Sequence, residues 1–89
     1  MLRQRLIPDP PTESEPMKIG QTIKRLREEK RSAADNWRDW TQAACAARAS
    51  MVTSYWGDLE GGRHSPSIET LEKVAAALGC TVTCLVSGL

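Results

Sequence analysis

The stretch SMVTSYWGDLEGGRHSPS, residues 50–67, gathers hydroxyls at Thr53, Ser54 and Tyr55, a carboxylate at Asp58, a guanidinium at Arg63 and the chain's one imidazole at His64. These groups donate and accept hydrogen bonds, a chemistry of recognition rather than of bond making. No His–carboxylate or Cys–His motif and no glycine-rich phosphate cradle is legible, so an enzyme is not expected. Cys45, Cys80 and Cys84 form no CxxC pair, and His64 is far from two of them in sequence. Neither a metal nor a cofactor is therefore expected, and the thiols read as reduced fillers of small apolar gaps.

These polar groups need elements to position them. Trp56 and Leu59, three apart, form the apolar edge of a short helix over 53–60, and that edge turns Thr53, Ser54, Tyr55 and Asp58 outward. Gly61-Gly62 closes this helix at its C-terminal end. Upstream, Thr41 is a suitable N-cap for the alanine-rich run QAACAARA, and Ser50-Met51 makes a turn between the two helices. Helix, tight turn and second helix within about 20 residues are the arrangement of a helix-turn-helix. The small side chains of Ala46 and Ala49 allow the two helices to cross closely, and the outward hydroxyls have the reach to meet base edges. On one flank, Ile19, Ile23 and Leu26 fall at i, i+4 and i+7 and predict an amphipathic first helix. On the other, Ser67 caps IETLEKVAAAL, with Ile68, Leu71, Ala75 and Leu78 facing one way and Gly79 as the stop. Residues 31–40, RSAADNWRDW, read as a long loop or a loop holding a helical turn, and CTVTCLVSGL suits a helix or a strand equally.

The 89 residues make one domain of ordinary globular composition, 26% charged and 40% hydrophobic. A net charge of +1 does not announce a polyanion partner, so any electrostatic footprint must come from local placement. No apolar run approaches the ~20 residues that span a bilayer, and no signal-peptide core is legible, so the expected location is cytoplasmic. Residues 1–16 hold four of the five prolines and are expected to be a flexible tail, with residues 17–89 the folded domain. Met17 is a reasonable alternative start. An arm using Arg3 and Arg5 against phosphates is the functional alternative, opposed by Asp9, Glu13 and Glu15.

The run WTQAACAARASMVTSYWGDLEGGRHSPSIETLEKVAAALG, residues 40–79, resembles the Cro/phage-repressor (Xre) class of helix-turn-helix proteins. Its marks are Thr-Gln opening the second helix, L-E-x-G closing the third, then P-S-x-E-T-L; IGQTIKRLREEK and CTVTCLVSG extend the likeness to about four-fifths of the chain. The resemblance implies an all-α, five-helix, lambda-repressor-like domain that binds double-stranded DNA, usually as a homodimer on a palindromic operator. It places Thr53, Ser54, Tyr55 and Asp58 at base edges, and Thr41, Gln42, Gly61, Arg63 and His64 beside phosphates. It also implies a buried pair between Arg27 and Glu60.

Several positions depart from the pattern. Val52 stands where a capping residue is usual, so the recognition helix is expected to start one residue later with Thr53 as its cap. Asp58 can accept from a cytosine amine but otherwise repels phosphate. Trp40 and Trp56 replace smaller aliphatic residues and read as core, and the helix 1–helix 2 connection is enlarged and carries Trp37. Trp37 is expected to pack over helix 1 or the connection, or else to meet a protein partner or DNA. Val82, Leu85, Val86 and Leu89 serve equally to close the core or to form a dimer seam. The leading reading is a sequence-specific DNA-binding repressor. An antitoxin, or an interaction module that has lost DNA binding, is the alternative.

Overall fold

A computed structural model describes residues 15–87. Five α-helices follow in order: α1 (Glu15–Ala33), α2 (Gln42–Arg48), α3 (Thr53–Glu60), α4 (Ile68–Leu78) and α5 (Val82–Val86), with a 3-10 helix (Trp37–Trp40) between α1 and α2. No strand occurs among the described residues, so the fold is all-α as expected, and of the run CTVTCLVSGL residues 82–86 form α5. No described helix is long and apolar enough to cross a membrane. Residues 1–14, with Arg3, Arg5, Asp9 and Glu13, lie outside the described residues, as does Leu89.

The caps decide where the helices begin. Thr41 Oγ1 accepts from the Ala44 N–H, Ser67 Oγ from that of Thr70, and Thr81 Oγ1 from that of Cys84, each satisfying a donor that a helix start leaves open. At α3 the expected span 53–60 is found but the capping expectation fails: the helix begins at Thr53 itself, and Val52 is the N-cap residue with no side-chain bond. Val52 cannot supply an acceptor, yet its carbonyl takes the N–H groups of Tyr55 and Trp56, which is enough to start the turn. α4 ends on Gly79 at φ 73°, a left-handed conformation that glycine adopts without strain, and the Cys80 N–H then bonds back to the Ala75 carbonyl.

α1 starts at Glu15, two residues before the expected domain start at Met17, and runs to Ala33, which shortens the expected 31–40 loop. Ile19 and Ile23 project from α1 into a core that includes Trp56 and Leu59 of α3, Cys45 and Ala46 of α2, Leu71, Val74 and Leu78 of α4, and Leu85 of α5. Leu85 is 1% exposed, so it closes the core and has no surface left for a dimer seam; Val82 and Val86 are only half-buried. Helices α1 and α3 approach so closely that a Cβ on Gly20 would overlap the Leu59 carbonyl oxygen and come within 2.7 Å of that of Glu60.

Trp56 is core, but Trp40 is not fully so. Its ring is half-buried, with the guanidinium of Arg48 4.6 Å and the ammonium of Lys30 5.7 Å from its centroid. Arg48 fixes the connection from below: it donates to the carbonyls of Asp39 (2.7 Å) and Ala77 (3.1 Å). Trp37 is 45% exposed, with the guanidinium groups of Arg31 and Arg38 4.9 and 4.7 Å from its ring centroid.

Candidate nucleic-acid interface

At 100° per residue, the buried residues of α3 (Trp56, Leu59 and Glu60) occupy one side of the helix. Ser54 and Asp58, four apart, share the opposite face, with Thr53 and Gly57 on one flank and Tyr55 on the other. Thr53 and Ser54 are exposed, while Tyr55 and Asp58 are half-buried. The outward face of α3 is therefore polar along its length and small at Gly57.

Two clusters border this face. On the Tyr55 side, Asp58 Oδ2 lies 3.4 Å from His64 Nε2 and Asp58 Oδ1 3.6 Å from Arg63 Nη1, and the Tyr55 and His64 rings are 5.2 Å apart. Four residues expected at separate DNA contacts thus hold one another, and Arg63 lies over Gly61, where a Cβ would overlap its guanidinium. A His–carboxylate pair, not legible in the sequence, is present here. His64 is exposed and Asp58 half-buried.

On the opposite side the side chain of Gln42 crosses from the start of α2 to α3. Its Nε2 donates to Glu60 Oε1 at 2.9 Å, and an added Cβ on Gly57 would stand 3.8 Å from its Oε1. Thr41 also works internally: besides its capping bond, its hydroxyl donates to the Arg38 carbonyl at 3.3 Å.

Behind α3, Glu60 is 7% and Arg27 6% exposed. Arg27 Nε donates to Glu60 Oε2 at 2.6 Å and Arg27 Nη2 to Oε1 at 3.1 Å, a bidentate pair; Arg27 Nη1 donates to the Trp40 carbonyl at 3.2 Å. Trp56 Nε1 donates to Glu60 Oε2 at 2.6 Å, so the buried carboxylate accepts four hydrogen bonds. Burial pushes the Glu60 carboxyl up, but the bonds from Arg27, Gln42 and Trp56 together outweigh it and hold the group below its ordinary range. The bond to Glu60 in turn raises Arg27, against the desolvation of its charge. The roles of Gln42 and Trp56 in this network were missed from sequence; the i, i+4 spacing of Trp56 and Glu60 was the available signal.

The cysteines do not assemble a site. Cys45 is buried, with burial raising its thiol, Cys84 is exposed, and no group of three or more metal-ligating side chains occurs among the described residues.

Residues 18–85 match the family described as a helix-turn-helix domain. The chain is 41% identical over 70 residues to the immunity repressor protein of Bacillus phage phi105, covering 79% of this chain and 43% of that protein. It is 32% identical over 73 residues to the control protein C.MunI of Mycoplasma sp, covering 82% of this chain and 89% of that protein. It is 34% identical over 73 residues to the HTH-type transcriptional regulator DdrOP3 of Deinococcus deserti, again 82% of this chain but 50% of that protein. The chain thus spans half or less of the length of two of these relatives and most of the third. Among solved structures none gives a significant match.

Proposed function

Because the chain belongs to the helix-turn-helix family, with the Cro/phage-repressor type of sequence, we propose that it is a sequence-specific DNA-binding transcriptional regulator, a repressor acting on DNA in the cytoplasm. The observation that carries this reading is the outward face of α3. Ser54 and Asp58 are centred on it, Thr53 and Tyr55 flank them, and the inward side is anchored by Trp56 and Leu59. A helix held rigidly from behind and polar in front suits the major groove, whose base edges present donors and acceptors.

In this reading Thr53, Ser54 and Tyr55 meet base edges. Asp58 accepts from a cytosine amine, and its charge is offset by Arg63 and His64 instead of facing phosphates unscreened. Gln42, Arg63 and His64 lie beside the backbone, and Thr41 and Gly61 bring main-chain groups near it. A palindromic operator and a two-fold dimer belong to the same reading, with Val82 and Val86 of α5 as the apolar surface that the core leaves half-covered. A second reading has a specific observation behind it: the half-exposed Trp37, with Arg31 and Arg38 beside it, is a suitable protein-binding anchor on the connection.

Selection of bound sequences from random duplex DNA tests the proposal. Enrichment of one sequence with related half-sites supports it. Recovery of no preferred sequence, together with capture of a stoichiometric protein partner that Trp37→Ala releases, replaces it with the interaction-module reading.

A further inference from the structure

The Arg27–Glu60 pair sits in the position of a purely structural contact between α1 and α3, yet both partners reach the start of α2. Glu60 takes the Gln42 amide, and Arg27 takes the carbonyl of Trp40, two residues before Gln42. We infer that Arg27 and Glu60 are positioning residues of the DNA interface, fixing Gln42 so that its second amide N–H is presented to a phosphate. The inference rests on the DNA-binding reading above.

A side-chain amide has two N–H donors on one nitrogen, set about 120° apart in the amide plane. One Gln42 donor is used on Glu60 Oε1, and that bond sets the amide plane and decides that nitrogen, not oxygen, faces the carboxylate. The second donor then points away from Glu60 in a fixed direction. Glu60 is itself immobile, because Arg27 and Trp56 supply its three other bonds and all three groups are buried. Gly57 leaves room for the amide to lie across α3, its absent Cβ being 3.8 Å from the Gln42 oxygen. A free glutamine spreads over many rotamers and loses that entropy on contact; one already held loses less on binding. The same bonds tie the groove-facing helix and the backbone-facing residue into one body, so a phosphate contact at Gln42 sets the register of α3.

The test uses the full chain, labelled with nitrogen-15, and follows the Gln42 side-chain amide by NMR, assigned by its loss in Gln42→Ala. In the free protein one of the two amide protons should exchange slowly with water and the other quickly. A short mixed-sequence duplex at low ionic strength, a sufficient probe because phosphate contacts carry no sequence information, should shift the fast proton while the slow one stays protected. Gln42→Ala should weaken duplex binding severalfold to roughly tenfold, the worth of one such bond. Glu60→Gln, compared under conditions where it is folded, should weaken binding alone but add nothing to Gln42→Ala. Two fast-exchanging protons in the free chain overturn the inference, and so does a Glu60→Gln effect that persists undiminished in the Gln42→Ala background. A chain that binds no duplex while keeping the slow proton overturns the functional reading and the inference with it, and the retained protection distinguishes that failure from a loose Gln42.

Discussion

Glu60 concentrates more of the molecule's chemistry than any other residue of α3, and its environment dictates how it responds to loss of a partner or of its charge. Arg27→Ala leaves the carboxylate buried with its counter-charge gone, a loss of roughly 3–5 kcal/mol. Arg63→Ala removes an exposed cation 3.6 Å from Asp58, an interaction of the surface type worth about 0–1 kcal/mol at most. Thermal unfolding should therefore show a large fall in Tm for the first variant and almost none for the second. The pH dependence follows from the same site. The folded-state pKa of Glu60 lies below its ordinary value of 4.5, so its stabilisation is complete above that value and is lost as pH falls through the depressed folded pKa. Tm measured from pH 6 downward should drop in the acid range for the parent, and the drop should be shallower for Glu60→Gln. Ser50 offers a third check: it holds φ 59° in the turn between α2 and α3, a left-handed conformation in which a β-branched side chain is strained. Ser50→Val should destabilise by about 1–2 kcal/mol in denaturant titration. At this scale the sequence was a partial guide. The outward set on α3 followed from the spacing of Trp56 and Leu59, whereas the partners of that set did not. The Asp58–His64 contact depends on how the chain folds back after Gly62, and the Gln42–Glu60 bond on a crossing of two helices, neither of which periodicity records.

Among the elements, α1 and α3 are bound by how little lies between them. A Cβ at Gly20 would collide with main-chain carbonyls of α3, which cannot swing aside as a flexible side chain can. Gly20→Ala should push the helices apart and lower stability by roughly 1–3 kcal/mol despite alanine's better helix propensity, a loss readable by denaturant titration. An unchanged or raised midpoint would mean that α1 does not lie as described. Helix order and the identity of the core were legible from capping residues and apolar spacing, because those signals are local. The ends of α1 and the placement of Trp40 were not. Arg48 decides the latter: it reaches from α2 to the carbonyls of Asp39 and Ala77 and lies against the indole, a long-range arrangement that leaves Trp40 half-covered instead of central. Leu85 was equally suited to core or seam on pattern alone, and only the packing of α5 against the rest assigns it to the core.

For the whole molecule, a net charge of +1 must be reconciled with a polyanionic partner. Among the residues proposed to meet DNA, Arg63 is the one guanidinium and Asp58 the one carboxylate, so the proposed interface relies on polar hydrogen bonds more than on cations. Phosphate neutralisation sets the salt dependence, and contacts to base edges set the sequence preference. In the proposed reading α3 reads bases while the residues beside it hold the backbone. The measurement that tests it most directly is binding of the parent, Thr53→Ala, Ser54→Ala and Arg63→Ala to a panel of single-base variants of the selected duplex at two salt concentrations. Thr53→Ala and Ser54→Ala should relax preference at particular base pairs by roughly 1–3 kcal/mol with the salt slope unchanged, while Arg63→Ala should weaken every duplex alike and reduce the slope by about 1. Thr53 and Ser54 variants that discriminate across the panel as the parent does would mean that α3 is not the element that reads DNA.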